Sequence, residues 1–196
     1  MSCEKTLVEK LVTSERIYDG SVISLRKDVV ELPTLRTTTR EVVEHPGAAA
    51  IVPLLEDNKI VMIRQYRHAT KEILLEIPAG TLQKGEKPEE CASRELTEET
   101  GCRATELKKI VSCYLAPGYS SEVIHIYLAT GISQLDQKPE ADEKIQVFTI
   151  NLYAAEQKIK DGKIRDAKTI LGIMYVLSLQ FRKMNLPTNP RLTVKP

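Results

Sequence analysis

Segments rich in β-branched residues occupy most of the first half of the chain and predict strands. Two separators have turn composition. Residues 33–35 begin with a proline, and residues 56–58 read Glu-Asp-Asn, so each separator predicts a hairpin between the strands that flank it. The predicted strands are 21–32, 36–45, 48–55, 59–66 and 73–78.

The pattern changes at residue 88 and predicts a helix over residues 88–100. Pro88 suits the first helical position, and Glu89 and Glu90 complement the positive N-terminal end of the helix dipole. Gly101 suits the left-handed position just after the helix.

The second half of the chain returns to strands and then ends in helices. Strands are predicted at 109–115, 122–129 and 144–150, and helices at about 151–160 and 166–184. Strands around one central helix, with helices at the end, predict an α+β fold, an α/β/α sandwich with a mixed sheet. We divide the chain into an N-terminal strand region (1–45), a main domain (46–185) and a tail (186–196) that contains three prolines and is expected to be loose.

The composition is that of a globular protein. Hydrophobic residues make up 42% and charged residues 28% of the 196 residues, which excludes a disordered or collagen-like chain. A net charge of +1 gives no signal for a nucleic acid or a membrane surface as partner. We find no apolar run long enough for a membrane helix and no secretory signal. Four cysteines without metal-ligand spacing indicate reduced thiols in a cytoplasmic protein.

Three glutamates on the predicted central helix are the first candidates for chemistry. Glu95 and Glu99 are four residues apart and share one helix face, which Glu98 borders. Mg²⁺ prefers carboxylate oxygens together with substrate phosphates, so the cluster is typical of a cation site for a diphosphate substrate. A solvated acidic face is the alternative. Ala92 and Leu96 lie on an adjacent stripe and are expected to pack against the sheet.

The loop before this helix contains Gly80 and Gly85. Both glycines permit tight backbone turns, which could bring the carbonyl of Ala79 to a metal ion, although an ordinary turn is the alternative for each. Glu86 and Arg94 could form an ion pair that ties the loop to the helix, which would be a structural role.

Residues 79–102 resemble the signature of the Nudix hydrolases, G-x5-E-x7-R-E-U-x-E-E-x-G-U, in which U is an aliphatic residue. Cys102 stands at the last aliphatic position and is a mild departure at a packing position. The matching residues are Gly80, Glu86, Arg94, Glu95, Leu96, Glu98, Glu99 and Gly101.

The resemblance covers roughly residues 15–182 and is to the ADP-ribose pyrophosphatase branch of that family. The segments VVEHPGAAAIVPL, IRQYRHAT and LLEIPAG carry it before the signature, and YLAPGYSSE and DAKTILGIMYVL carry it afterwards. Pro117 stands where that branch has a proline beyond the signature. The resemblance implies a Nudix-type α/β/α sandwich with an N-terminal antiparallel β-extension.

The resemblance also implies a metal site. Glu95 and Glu99 would bind Mg²⁺, with Mn²⁺ as a substitute; Glu98 would assist, and the carbonyl of Ala79 would complete the site. Glu98 and Glu99 count as catalytic on the same ground.

In the resembling branch the catalytic base comes from a late loop just before a strand, which here is QLDQKPEADEK. Glu143 matches best by its position, and Glu140 and Asp142 are rivals. A polar hairpin loop without a chemical role is the alternative.

Three substrate contacts follow from the same resemblance. Arg67 matches a position that reaches the substrate phosphates, where the planar fork of an arginine is suited to a phosphate; a surface salt bridge is the alternative. Arg40 and Glu41 lie on a strand that resembles the edge contacting the adenosine. The chain has no Trp, so stacking of the base would need a Tyr, a Phe or an Arg plane.

The resemblance therefore implies a Mg²⁺-dependent hydrolase that splits ADP-ribose into AMP and ribose 5-phosphate, with a nucleoside diphosphate sugar as its partner, and the cysteine usage places it in the cytoplasm. Relatives form homodimers in which N-terminal strands help to build the partner's site, so residues 15–45 are expected to act across an interface. Another nucleotide sugar such as GDP-mannose is one alternative substrate. A nucleotide sensor of the same fold without turnover is the alternative from another class.

Overall fold

The computed structural model describes residues 7–134 and 144–185. The chain opens with an antiparallel three-stranded sheet, the N-terminal extension that the resemblance implies. Its strands, in spatial order, are β1 (Lys10–Asp19), β2 (Ser24–Glu31) and β3 (Thr37–Glu44). Strands β2 and β3 form the hairpin predicted for residues 21–45. Strand β1 was not predicted, because all its residues are exposed and its sequence lacks an alternation of apolar and polar positions.

Two sheets form the centre of the protein. The first has the order β7 (Ala79–Thr81), β4 (Ala48–Pro53), β10 (Val123–Thr130) and β9 (Glu106–Tyr114). It is mixed, because β4 and β10 run parallel whereas its other pairs are antiparallel. The second is antiparallel, with the order β12 (Ile145–Asn151), β5 (Lys59–Arg67) and β6 (Glu72–Glu76). A two-stranded ladder joins β8 (Cys102–Arg103) to β11 (Ser133–Gln134).

The second predicted hairpin, between residues 48–55 and 59–66, is wrong. Strands β4 and β5 belong to different sheets, and the chain between them makes a single bridge, in which Leu54, just after β4, pairs with Ile60. A 3₁₀ turn over Glu56–Asn58, with both Asp57 and Asn58 in the left-handed region, leads the chain from one sheet to the other. Residues 56–58 do form a turn, as predicted. Strand β4, however, is buried along its whole length and pairs on both edges with strands other than β5.

Three helices cover the two sheets. Helix α1 (Pro88–Thr100) has the bounds predicted from its end signals, and α2 (Leu152–Lys160) and α3 (Ala167–Asn185) begin and end within a residue of their predictions. The Asn151 side chain caps α2 by accepting a hydrogen bond from the Tyr153 amide at 3.0 Å.

The core has two parts, one on each side of the sheets. Helix α1 packs through Ala92 and Leu96 against residues of β4 such as Ile51, as the sequence predicts. Helices α2 and α3 pack on the other side, through residues such as Leu152 and Ile173. Each fully buried aliphatic side chain contributes about 1.5–3 kcal/mol. The predicted α/β/α sandwich is confirmed.

The N-terminal sheet is attached to the central sheets through β3. The Val43 amide donates to the Tyr119 carbonyl at 2.7 Å, and the Ser121 amide donates to the Val43 carbonyl at 2.9 Å. Pro117 lies in the same loop between β9 and β10. Among residues 7–134 and 144–185, no helix is both long and apolar enough to cross a membrane. The tail 186–196, expected to be loose, lies outside the described residues.

Candidate active site

The ends of α1 are fixed by local contacts. Pro88 occupies the first turn, the Glu90 carboxylate accepts a hydrogen bond from the Lys87 amide at 3.2 Å, and Gly101 follows the helix with φ of 66°. Because Ala92 and Leu96 anchor one stripe of the helix in the core, the orientation of the glutamates on the neighbouring stripe is determined.

Arg94 contacts three carboxylates around the first turns of α1. Its Nε and Nη2 donate to the two oxygens of Glu86 at 2.8 and 3.0 Å, and its Nη1 donates to Glu95 and Glu98 at 2.6 and 2.9 Å. Hydrogen bonding with Arg94 lowers the pKa of the Glu86 carboxyl to about 2, and hydrogen bonding with Glu86 raises the pKa of Arg94. The predicted ion pair of loop and helix is confirmed, and it continues to two glutamates of the signature.

Glu95 and Glu99 are buried where α1 meets β7. Glu99 is 1% exposed, and its Oε2 accepts a hydrogen bond from the Ala79 amide at 2.9 Å. Glu95 lies against Gly80, where an added Cβ would stand 1.7 Å from Glu95 Oε1. A side chain at position 80 would therefore displace the Glu95 carboxylate from its place beside β7.

These groups have the donor chemistry of a hard-cation site, since Mg²⁺ favours carboxylate and carbonyl oxygens. Yet across the two described segments of the chain, no three His, Cys, Asp or Glu side chains converge as a ready metal-binding group. The guanidinium of Arg94 contacts both Glu95 and Glu98 and compensates their charge. The residue types and the glycine cradle fit a divalent cation, which would have to compete with Arg94 for these oxygens.

A cleft of about 930 Å³ opens beside Ala79, Gly80 and Glu95, a volume typical of small-molecule sites. Part of its lining is apolar and part is charged. The apolar part includes Val22, Pro46, Leu115 and Ile124, and the charged part includes Arg67, Arg94, Glu95, Asp166 and Lys168. Ser21 and Val22 come from the turn between β1 and β2, so the N-terminal sheet forms one side of its own chain's cleft.

A second charged cluster lines this cleft. The guanidinium of Arg67 forms a two-point contact with Glu76, with Nε to Oε1 at 2.8 Å and Nη2 to Oε2 at 2.7 Å. Lys168 donates to the same carboxylate and lies 3.0 Å from Asp166. Burial opposes the charge on Glu76, but Arg67 and Lys168 outweigh it and hold the pKa of Glu76 below its ordinary value. The hydrogen bond to Glu76 raises the pKa of Arg67, and the nearby charge of Glu99 adds to this.

Only Arg67 of this second charged cluster was predicted from the sequence. Arg67 was predicted from the resemblance, and it does line the cleft. Glu76, Asp166 and Lys168 were missed as site residues, although the segments LLEIPAG and DAKT that contain them belong to the resemblance. Glu76 and Lys168 are 92 residues apart in the chain, so their contact has no local signal.

The other predicted site residues have different positions. Arg40 and Glu41 lie on β3 with exposed side chains, and neither is among the described residues that line the cleft. Arg40 binds Glu9, with Nη2 to Oε1 at 2.5 Å. The predicted base Glu143 and its rivals Glu140 and Asp142 lie outside the described residues.

One cysteine contacts the backbone of the candidate site. The Cys91 thiol lies 3.6 Å from the Gly80 carbonyl and 3.7 Å from the Thr81 carbonyl. Burial raises the pKa of this thiol to about 12, so it stays protonated and inert as a nucleophile. Cys91, Cys102 and Cys113 are free thiols, as the sequence predicts for the cysteines that the structure describes.

Known proteins resemble this chain in both sequence and fold. Residues 44–170 match the family model of the NUDIX domain. The chain is 41% identical to an ADP-ribose pyrophosphatase of Bacillus subtilis and 40% identical to a methanol dehydrogenase activator of Bacillus methanolicus, in each case over 88% of this chain and 94% of the relative. It is 35% identical to a GDP-mannose pyrophosphatase of Cronobacter sakazakii, over 90% of this chain and 96% of the relative. A solved ADP compounds hydrolase has the same fold, with a TM-score of 0.80 at 21% identity, covering 92% of this chain and 98% of that one.

Proposed function

Since the chain belongs to the NUDIX domain family, we propose that it is a hydrolase that splits the diphosphate bond of ADP-ribose into AMP and ribose 5-phosphate. The observation that carries the proposal is the meeting of two charged groups in one cleft. Arg94 and Glu95 contribute one group, and Arg67 and Lys168 contribute the other. Carboxylates for a metal ion beside cations for phosphate oxygens are what a diphosphate substrate requires.

The proposed cofactor is Mg²⁺, with Mn²⁺ as its substitute. Glu95, Glu98 and Glu99 would hold it together with the carbonyl of Ala79, in agreement with the burial of Glu95 and Glu99 beside β7. When bound, such an ion neutralises charge on the diphosphate and lowers the pKa of a bound water.

The protein's own residues orient the substrate and move the proton. Arg67 and Lys168 bind phosphate oxygens, and the fork of Arg67 gives the phosphate a fixed direction. The burial of Glu99 and its hydrogen bond from the Ala79 amide keep this carboxylate in one position during the reaction. Glu143 is the proposed base that takes the proton of the attacking water, with Glu140 and Asp142 as alternatives. All three lie outside the described residues.

No Tyr or Phe is among the described residues that line the cleft, so we propose an apolar contact rather than an aromatic stack for the adenine. The apolar surface of the cleft, which includes Val22, Pro46 and Leu115, is the proposed contact for the base. Arg40 and Glu41, exposed on β3, are proposed to contact the substrate of a second copy.

The proposed assembly is a homodimer formed through the N-terminal region 1–45. Strand β1 has one edge without a strand partner among the described residues, and it exposes large apolar side chains. They include Leu11, Val12, Ile17 and Tyr18, each at least 50% exposed. Apolar exposure of this extent along one strand is typical of an interaction surface.

The proposed location is the cytoplasm. The support is the state of Cys91, Cys102 and Cys113, which are free thiols in the structure. Free, partly buried thiols are usual where the cell keeps cysteines reduced.

Product analysis tests this proposal. The protein is incubated with ADP-ribose, GDP-mannose, ADP-glucose and diadenosine compounds, with Mg²⁺ and with EDTA, and the phosphate products are separated by chromatography. We expect AMP and ribose 5-phosphate to form fastest, and EDTA to stop the reaction. Faster cleavage of GDP-mannose would favour the activity named for the relative at 35% identity. Nucleotide binding without any cleavage would favour a sensor.

A further inference from the structure

Glu76 is the buried centre of the second charged cluster. It is the last residue of β6 and is 1% exposed. Both of its oxygens bind the Arg67 guanidinium, and one also binds Lys168. One carboxylate that the cleft does not reach therefore contacts two cations that line the cleft.

One neutral hydrogen bond already joins the elements that carry this cluster. The Ile77 amide donates to the Thr169 hydroxyl at 2.9 Å, which ties the segment after β6 to α3. The Asp166 carboxylate accepts a hydrogen bond from the Thr169 amide at 3.0 Å and begins the helix. The charge of Glu76 is not needed for this connection, so its burial calls for a different explanation.

The positions of Arg67 and Lys168 explain why a charged carboxylate is buried at Glu76. Two like charges side by side repel each other, and a buried carboxylate between them compensates that repulsion. The contact with Glu76 uses the Nε–H and one N–H of Nη2, and it leaves both N–H groups of Nη1 and the second N–H of Nη2 as a fork for another acceptor. Lys168 has three N–H groups, of which Glu76 and Asp166 take two.

We propose that Glu76 is a positioning residue, which holds Arg67 and Lys168 in the arrangement that binds a phosphate group of the substrate. This inference rests on the proposed function, because the phosphate is that of a nucleoside diphosphate sugar. Glu76 itself touches no substrate, so its removal acts on binding through the two cations. Loss of the shared carboxylate lets both cations turn away from each other and from the phosphate.

Glu76→Gln tests this role, because it keeps the side-chain shape and removes the charge. We expect the affinity of the metal-free protein for pyrophosphate, measured by calorimetry, to fall about tenfold. The KM for ADP-ribose with Mg²⁺ is expected to rise by a similar factor, while kcat changes by no more than about threefold. Unchanged or tighter pyrophosphate binding with an unchanged KM would overturn the proposal.

Glu72→Gln is the matched control. Glu72 lies on the same strand and forms an ion pair with Arg165, the residue next to Asp166, but neither partner lines the cleft. We expect pyrophosphate affinity and KM to stay at the wild-type values in this variant. An equal loss in both variants would mean that any ion pair between β6 and the start of α3 has the same effect, which contradicts a positioning role.

The two readouts separate this inference from the proposed function. If the wild type does not cleave ADP-ribose but Glu76→Gln loses pyrophosphate affinity, the function is wrong and the role of Glu76 stands. If the wild type cleaves ADP-ribose and Glu76→Gln behaves like it in both assays, the function stands and the role of Glu76 falls.

Glu76→Asp provides the measurement if the glutamine variant does not fold. It keeps the charge and shortens the side chain by one methylene, so it pulls both cations away from their positions. A raised KM with an unchanged kcat supports the proposal, and a wild-type KM contradicts it.

Discussion

Arg94 binds Glu86 through two parallel hydrogen bonds, with Nε to Oε1 at 2.8 Å and Nη2 to Oε2 at 3.0 Å. This contact joins the loop after β7 to the middle of α1, and both side chains are largely buried. The third nitrogen of Arg94 holds Glu95 and Glu98. One arginine therefore fixes the loop and orders two of the glutamates proposed to bind the metal ion.

Glu86→Gln is expected to lower the stability of the fold by about 1–3 kcal/mol at neutral pH, because a charged hydrogen-bond pair is lost. The pKa of Glu86 is lowered from 4.5 to about 2 in the folded protein, so its stabilising effect is present above pH 4.5 and is lost as the pH falls toward about 2. The melting temperatures of the wild type and Glu86→Gln should therefore converge over this range.

Glu89→Gln is the control for this measurement. Its exposed side chain lies in the first turn of α1, where only a small dipole effect is expected. If the difference in melting temperature between the wild type and Glu86→Gln persisted unchanged to pH 2, the ionised Glu86 would not be the source of the extra stability of the wild type.

Gly80→Ala is expected to damage the proposed metal site while the protein still folds. The added Cβ would stand 1.7 Å from Glu95 Oε1, so the Glu95 carboxylate has to move. We expect the Mg²⁺ concentration for half-maximal activity to rise about 10- to 100-fold. Gly118→Ala, which meets nothing within 4 Å, is the matched control. A wild-type Mg²⁺ requirement in Gly80→Ala would argue against Glu95 as a ligand.

Glu143→Gln is expected to lower kcat with little change in the Mg²⁺ requirement, because a base acts on the proton of the water rather than on the metal ion. Steady-state kinetics on Glu143→Gln, Glu140→Gln and Asp142→Asn compares the three candidates under one set of conditions. A wild-type kcat for Glu143→Gln, with a loss in one of the other two, would assign the role to that neighbour.

Ile17→Lys is expected to weaken the proposed homodimer. Ile17 is 50% exposed on β1, and a lysine in an apolar interface carries a desolvation penalty. Sedimentation equilibrium should show a shift from dimer to monomer. Glu15→Lys places the same residue at a polar position of the same strand and should leave the assembly unchanged. A monomeric wild-type protein would refute the proposed assembly.

Local signals predicted the bounds of α1 and the shared face of its glutamates. Its ends depend on Pro88 and Gly101, which act within one turn, and the shared face of Glu95 and Glu99 follows from helical spacing alone. The ion pair of Glu86 and Arg94 could be expected because only Lys87 and the first turns of α1 separate the two residues.

Long-range pairing could not be predicted in this way. Strand β4 takes β10 as its parallel partner from a distant part of the chain, whereas the turn composition of residues 56–58 favours a hairpin with β5. The cluster at Glu76 is a similar case, because Lys168 reaches it from another helix. Strand β1 escaped prediction because a strand exposed on both faces has no apolar period.

The most direct test of the account compares the wild type with Glu99→Gln on ADP-ribose in the presence of Mg²⁺, with Glu89→Gln as the control on the same helix. Glu99 is 1% exposed and accepts a hydrogen bond from the Ala79 amide, which a glutamine can also accept, so the fold should be kept. The account predicts AMP and ribose 5-phosphate from the wild type and from Glu89→Gln, and a kcat at least about 100-fold lower for Glu99→Gln with a nearly unchanged melting temperature. Near-normal turnover by a folded Glu99→Gln protein would contradict the proposed metal site and the mechanism built on it.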